Sequence, residues 1–169
     1  KDMIHPYPPI LTIVLSLVYK LFGYHLLVLQ TVAWSVVLAS SMLVFLVIKT
    51  LTRRYDVSIL GLSSYILLQP FLEGNMLWFD IAIVPPLLLG VLFLLKYLEK
   101  EESRWLILAG FSLAVAALTK QTAAIFLILV SAFLLLRHRS LREVWGLSIG
   151  PVVLLIPLMA RLVQEDALL

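Results

Sequence analysis

Uninterrupted apolar runs, about as long as a lipid bilayer is thick, constrain this chain more than any other feature. The run from Tyr24 to Ile48 contains no Asp, Glu, Lys or Arg, and about 20 such residues suffice for a helix to cross the hydrocarbon core. The runs do not alternate with polar residues, which is typical of membrane helices and not of membrane barrel strands. We therefore predict an all-α, polytopic transmembrane helix bundle.

The composition supports lipid as the solvent of this bundle. Of the 169 residues, 62% are hydrophobic and 14% are charged, whereas soluble domains are about half apolar and about a quarter charged. A soluble chain of about 150 residues still exposes roughly a third of its surface, so its core could not hide this excess. The chain has no cysteine, which excludes a disulfide framework and a thiolate metal site.

The apolar runs divide a single transmembrane domain, residues 1–169, into about five spans and one shorter helix. The shorter helix, at 9–22, contains Lys20 and stops at Gly23, so we expect it to lie at the membrane interface. The spans are predicted at 24–48, 57–72, 77–97, 105–119 with 122–136 as a hairpin, and 144–162.

Three basic clusters determine the predicted topology. As a single helix, the apolar stretch of about 32 residues before the third cluster would be ~48 Å long, against a core of ~30 Å. Because basic loops stay in the cytoplasm, an even number of crossings must separate the clusters, which predicts a hairpin with its tip near Lys120. The clusters are Lys49/Arg53/Arg54, Lys96/Lys100/Arg104 and Arg137/Arg139/Arg142.

The opposite side of the bilayer is then extracytoplasmic, and in a eukaryote it is the lumen of the endoplasmic reticulum. It receives the N-terminal lead-in, residues 73–80, Lys120 and the C-terminal tail. We expect a multi-pass protein of the cell membrane whose functional side faces away from the cytoplasm.

Lys120 is the most unusual residue on that side, because it interrupts the longest apolar run. A charge at membrane depth costs about 3 kcal/mol or more, so a negative group should meet it. The phosphate of a lipid carrier would serve, since lysine is a good point-charge partner for phosphate. The alternative is a lysine that extends to ordinary lipid headgroups.

Further residues on the same side are candidates for binding. Asp80 is flanked by apolar residues, which indicates function, whereas Glu73 fits a solvated loop residue better than a functional one. Two carboxylates beside a basic group could act as a base or hold a divalent metal ion, the one cofactor that we consider. His5 could bind a metal or a substrate, although a lone histidine is more often simply exposed, and Gln121 adjoins Lys120.

The order of these features resembles the GT-C membrane glycosyltransferases, in particular the dolichyl-phosphate-mannose protein mannosyltransferase-like group (glycosyltransferase family 39 and its relatives). Three short motifs carry the resemblance, all of them predicted to lie on the outer side. They are the His5-Pro-Tyr-Pro-Pro lead-in with a helix ending in Leu21-Phe22-Gly23, the sequence Trp78-Phe79-Asp80, and the stretch from Gly110 to Leu118-Thr119-Lys120.

The resemblance implies an enzyme that takes a sugar from a polyprenyl-phosphate carrier and passes it to a protein, lipid or glycan acceptor, with no nucleic acid involved. Lys120 would stabilise the carrier phosphate and Asp80 would position the acceptor or a metal, as the two catalytic residues. His5, Gln121 and Glu73 would bind substrate.

The resemblance also implies an acidic base in the first outer loop, upstream of the His-Pro lead-in. Asp2 is the candidate within this chain, but its spacing to His5 is too short. The chain begins without an initiator methionine, so we interpret it as an internal fragment that lacks this base and expect the fragment alone to be inactive.

Two functions of other classes remain open from the sequence. A transporter or channel module would line a polar pathway with Lys120 and Asp80, and it predicts internal pseudo-symmetry, which the sequence does not show. A non-catalytic membrane subunit would predict that Lys120 tolerates substitution.

Overall fold

The computed structural model describes residues 10–69, 79–138 and 141–166, excepting the side chains of 138 and 158–166. The described residues form eight α-helices and one 3-10 turn, with no strand among them, which confirms the all-α prediction. His5, Glu73 and Arg139 lie outside the described residues or side chains. The helices are α1 (Ile10–Phe22), α2 (Leu26–Thr52), α3 (Tyr55–Leu68), α4 (Phe79–Ala82), α5 (Val84–Lys100), α6 (Ser103–Thr119), α7 (Ala124–His138) and α8 (Leu141–Asp166), and the 3-10 turn is Gln121–Ala123.

Two described stretches are long and apolar enough to cross a membrane, namely α2 and the pair α4–α5. Only 22% and 17% of their most apolar windows are buried within the protein, whereas the core helix of a soluble protein is mostly buried. Leu27 and Trp34 of α2, for example, expose 74% and 71% of their surface. Apolar surface on this scale fits a lipid environment, while the number and direction of the crossings stay predictions.

Helix α6 is the centre of the bundle and packs between α5 and α8. The backbones of α6 and α8 come very close at two glycines. A Cβ on Gly110 would lie 1.9 Å from the carbonyl oxygen of Leu147, and a Cβ on Gly150 would lie 2.2 Å from the amide nitrogen of Phe111. Small residues commonly allow membrane helices to approach in this way, so these glycines fix α8 against α6.

Helix α7 returns along α6 after the chain turns at Lys120. Lys120 is extended, with φ −145° and ψ 123°, and the 3-10 turn follows it directly. Leu106 of α6 and Leu134 of α7 belong to one buried cluster, although a straight helix rising ~1.5 Å per residue would place them about 40 Å apart. The two helices therefore form an antiparallel hairpin.

The first two basic clusters meet at one end of the bundle. Arg53, which follows α2, donates a hydrogen bond of 3.1 Å to Glu99 of α5. Lys96 and Lys100, near the end of α5, lie 4.5 Å and 5.9 Å from the ring centroid of Trp105 in the first turn of α6. We call this end, defined by these residues, the basic end.

The start of α8 also lies at the basic end. A cavity of about 530 Å³ is lined there by Glu101, which follows α5, by Ser103, the first residue of α6, and by Arg142, Glu143 and Trp145 of α8. Arg142 of the third basic cluster therefore lies at the same end as the first two clusters. The opposite end of the bundle contains Lys120.

Candidate functional site

Lys120 and Asp80 form an ion pair at the end of the bundle opposite the basic end. Nζ of Lys120 donates a hydrogen bond to Oδ1 of Asp80. Helix α6 separates Lys120 from Arg104 by about 24 Å at a rise of ~1.5 Å per residue. The two side chains come together from positions 40 residues apart in the sequence, so the predicted negative partner of Lys120 is, within the described protein, a carboxylate.

The backbone around Lys120 is fixed on both sides. Its amide donates a hydrogen bond of 2.9 Å to the carbonyl oxygen of Ala116, and its own carbonyl accepts one of 2.9 Å from the amide of Ala123. The hydroxyl of Thr119, which is 3% exposed, donates to the carbonyl oxygen of Val115 at 2.8 Å. The end of α6 is therefore well ordered by its own hydrogen bonds, and the side chain of Lys120 is free to extend towards α4.

Asp80 lies on a much less anchored element. Helix α4 is a single turn of four residues, none of which is buried. It continues into α5 through Ile83, whose amide donates a hydrogen bond of 3.1 Å to the carbonyl oxygen of Phe79. Pro85 and Pro86 occupy the first turn of α5, where a proline loses no helical hydrogen bond. Ile83 itself has helical dihedral angles, with φ −77° and ψ −20°, and α4 contacts α6.

The two charged groups differ in exposure. The side chain of Lys120 is 23% exposed and that of Asp80 is 46% exposed. An exposed ion pair contributes only about 0–1 kcal/mol because water screens it, and burial of one partner strengthens the attraction. The carboxylate is therefore the more exposed of the two groups, and the ammonium is the more enclosed.

An almost wholly apolar cavity of about 230 Å³ lies at the same end of the bundle as the ion pair. Thr119 and Ala82, which line it, lie one residue from Lys120 and two residues from Asp80 in the sequence, whereas the two charged residues themselves do not line it. We call this cavity the apolar slot. Its walls come from α1, α2, α4, α5 and α6, through residues Ile10, Leu11, Val14, Val32, Val36, Ala82, Pro85, Pro86, Val115 and Thr119.

The other predicted site residues are placed only in part. Gln121 follows Lys120 in the 3-10 turn and is exposed, whereas His5 and Glu73 lie outside the described residues. Divalent ions in proteins take several oxygen ligands, and no group of three or more His, Asp or Glu occurs among the described residues. The described residues therefore do not form a metal site by themselves, and the divalent metal ion stays a prediction.

Two features of this site could not be predicted from the sequence. Lys120 and Asp80 were predicted on one side but not as a pair, because nothing in the sequence reports which residues meet across 40 positions. The apolar slot was not predicted, because Leu11 and Val36 look like any other apolar residues of a membrane helix. Helix α1 itself was predicted at this position in the chain, but its contact with α6 was not.

A protein-family model matches most of the chain. Residues 5–163 match the family model described as dolichyl-phosphate-mannose-protein mannosyltransferase. The matched region contains Lys120, Asp80 and every residue that lines the apolar slot. No curated protein matched the chain, and no solved structure matched it.

Proposed function

The chain belongs to the dolichyl-phosphate-mannose-protein mannosyltransferase family, and on that premise we propose that it transfers a sugar from a polyprenyl-phosphate carrier to an acceptor on the extracytoplasmic side. Membership confirms the resemblance seen in the sequence and identifies a membrane glycosyltransferase of the mannosyltransferase type. The carrier, the acceptor, the side of the membrane and the roles of single residues belong to the proposal.

One observation carries the proposal, namely that the apolar slot and Lys120 lie at the same end of the bundle, where Thr119, the residue before Lys120, lines the slot. A polyprenyl phosphate is an apolar chain that ends in an anion, and an apolar slot with a lysine nearby is complementary to both parts. Sites for small molecules are commonly apolar cavities with a few polar groups that fix orientation. The described part of the chain offers this combination at the end away from the basic clusters, where the topology rule expects the outer side.

The reaction needs charge stabilisation at the carrier phosphate. A hydroxyl oxygen of the acceptor attacks the anomeric carbon of the sugar, and the bond from that carbon to the phosphate oxygen breaks with its electron pair on the oxygen. The hydroxyl proton passes to a general base, for which the family resemblance implies an acidic residue upstream of His5. The ammonium of Lys120 stabilises the charge that appears on the leaving phosphate.

Asp80 is proposed to position the acceptor. Its carboxylate accepts a hydrogen bond from the acceptor hydroxyl and so holds that oxygen near the sugar. Orientation of this kind contributes to the rate without any covalent role. Gln121, exposed beside Lys120, is proposed to bind the sugar or the phosphate, and His5 and Glu73 keep their predicted binding roles.

A transfer assay tests the two assigned roles. Membranes that contain the protein expressed from its complete gene are given a radiolabelled polyprenyl-phosphate sugar, and release of the sugar is measured for Lys120→Ala and Asp80→Asn. Removal of one preorganised charge-stabilising group costs roughly 10²–10³ in rate, so a loss of about this size is expected for Lys120→Ala. Lys120→Arg, which keeps the charge, should retain more activity.

Lys49→Ala is the matched lysine control, because Lys49 lies over the ring of Tyr55 at the basic end. It should transfer sugar as the wild type does. Normal membrane levels of all variants exclude failed insertion. Transfer at the wild-type rate by both Lys120→Ala and Asp80→Asn would remove these residues from the mechanism.

The apolar slot allows a second test of the same function. Val36→Phe fills part of the slot, so it should raise the KM for the carrier-linked sugar several-fold while leaving the affinity for the acceptor unchanged. Leu38→Phe is the control, because Leu38 of α2 is 60% exposed and does not line the slot. If Val36→Phe leaves the donor KM unchanged, the carrier does not occupy the slot.

A further inference from the structure

Lys120 has one described anionic partner, and the proposed donor needs the same ammonium. The hydrogen bond from Nζ of Lys120 to Asp80 occupies the ammonium on the side that faces α4. A carrier phosphate that reached Lys120 with Asp80 still in place would meet a carboxylate of like charge within about 4–6 Å, which is unfavourable. The two anions therefore compete for a single cation.

We infer that Asp80 holds Lys120 in the absence of donor, that the carrier phosphate displaces it, and that the displaced carboxylate then receives the acceptor. This inference rests on the proposed function and deepens it, because it assigns an order of binding. The donor binds first, since only a donor-occupied site presents an unpaired Asp80. The acceptor binds second.

The exposure of the two side chains indicates which partner moves. Asp80 is 46% exposed and has room to turn away from Lys120, whereas Lys120 is 23% exposed and more enclosed by the protein. A carboxylate that moves into solvent loses little, because the ion pair was already partly screened. The backbone of Lys120 is held at the end of α6, because its amide donates a hydrogen bond to the carbonyl oxygen of Ala116 and its carbonyl oxygen accepts one from the amide of Ala123.

The anchoring of the two elements agrees with this direction of movement. Asp80 lies on α4, a single turn without a buried residue. Lys120 follows α6, which is the most extensively buried helix among the described residues. Movement of the Asp80 carboxylate therefore involves the less buried of the two elements.

The same exchange assists product release. The sugar-bearing carrier is a phosphodiester with one negative charge, whereas the released carrier is a monoester with about −1.5 to −2 at neutral pH. The product would therefore bind Lys120 more tightly than the substrate. A carboxylate that returns to Lys120 competes with this product, so loss of the Asp80 charge should increase product inhibition.

A double-mutant cycle on binding tests the inference without relying on activity. Polyprenyl monophosphate is titrated into the detergent-solubilised full-length protein, as wild type, Asp80→Asn, Lys120→Ala and the double variant, and its affinity is measured by calorimetry. Asp80→Asn should bind the lipid about fivefold more tightly, because it removes a competing ion pair of the partly exposed kind. Lys120→Ala should bind more weakly than the wild type.

The double variant gives the decisive comparison. Without Lys120 there is no ammonium to compete for, so Asp80→Asn should then give little or no gain in affinity. In the transfer assay, Asp80→Asn should lower both kcat and the donor KM and should increase inhibition by added polyprenyl monophosphate. Lys49→Ala, at the basic end, should bind as the wild type does.

The results separate the inference from the proposed function. If Lys120→Ala weakens binding but Asp80→Asn does not tighten it, the exchange is wrong and the donor site at Lys120 stands. If Asp80→Asn tightens binding equally with and without Lys120, the effect is a general change in charge and the exchange is also wrong. If no variant alters binding, or the lipid does not bind to the wild type, the proposed function itself is wrong.

Discussion

Gly110→Ala should destabilise the protein by separating α6 from α8. The added Cβ would lie 1.9 Å from the carbonyl oxygen of Leu147, whereas real Cβ atoms essentially never come closer than 3.0 Å. The Cβ is bonded directly to the backbone of α6 and the carbonyl oxygen belongs to the backbone of α8, so neither group can move aside as the end of a flexible side chain can. The two helices must therefore part by about 1 Å at this point.

The expected cost follows from two opposing effects. Overpacking at a close contact costs typically 1–3 kcal/mol, and a rigid backbone contact belongs at the upper end of that range. Replacement of a helical glycine by alanine returns about 1 kcal/mol of helix propensity. The net loss is about 2 kcal/mol, which for a chain of this size corresponds to a Tm lowered by roughly 4–8 °C.

Thermal unfolding in detergent, followed by tryptophan fluorescence, measures this loss. Gly146→Ala is the matched control, because its Cβ would lie 3.2 Å from a side-chain methyl group of Leu106 that can adjust, and it should unfold at or above the wild-type temperature. If Gly110→Ala is as stable as Gly146→Ala, then α6 and α8 are not in backbone contact and the described packing is wrong.

Two further predictions concern the hairpin and the topology. Leu134→Ala, which truncates a fully buried side chain, should lower the stability by about 2–4 kcal/mol, whereas Leu136→Ala, at a position 81% exposed, should have little effect in a detergent unfolding assay. Because the chain has no cysteine, single cysteines can be introduced at Ser103 in α6 and at Gln121 in the turn after it, both of which are exposed. The cysteine at position 121 should react with an impermeant thiol reagent from outside intact cells, and the cysteine at position 103 should not. If only the cysteine at position 103 were labelled, the orientation of the chain would be the reverse of the predicted one.

The helical class could be predicted from the sequence because lipid imposes it. For long apolar runs without alternation, the helix is the structure that satisfies the backbone hydrogen-bonding groups in a bilayer. Every secondary-structure element among the described residues is a helix. A turn near Lys120 was also open to prediction, since a charge in the middle of an apolar run belongs near a membrane surface. That the helices on either side cross a bilayer stays a prediction.

The contacts between elements could not be predicted in the same way. Gly110 belonged to a motif of the family resemblance, but its close contact with α8 depends on how two distant helices cross. The pairing of Lys120 with Asp80 depends likewise on how α4 packs against α6. A single sequence gives the charge of each residue and a predicted side of the membrane, but it does not show which charged residues contact each other.

Photocrosslinking of the carrier tests the central claim most directly. A polyprenyl phosphate with a photoreactive group next to its phosphate is bound to the protein in membranes, and the crosslinked peptides are identified by mass spectrometry. We predict crosslinks to the end of α6 around Thr119 and Lys120, and their loss when unlabelled polyprenyl phosphate is added. Crosslinks confined to the basic end around Trp105, with none near Lys120, would contradict the proposed site.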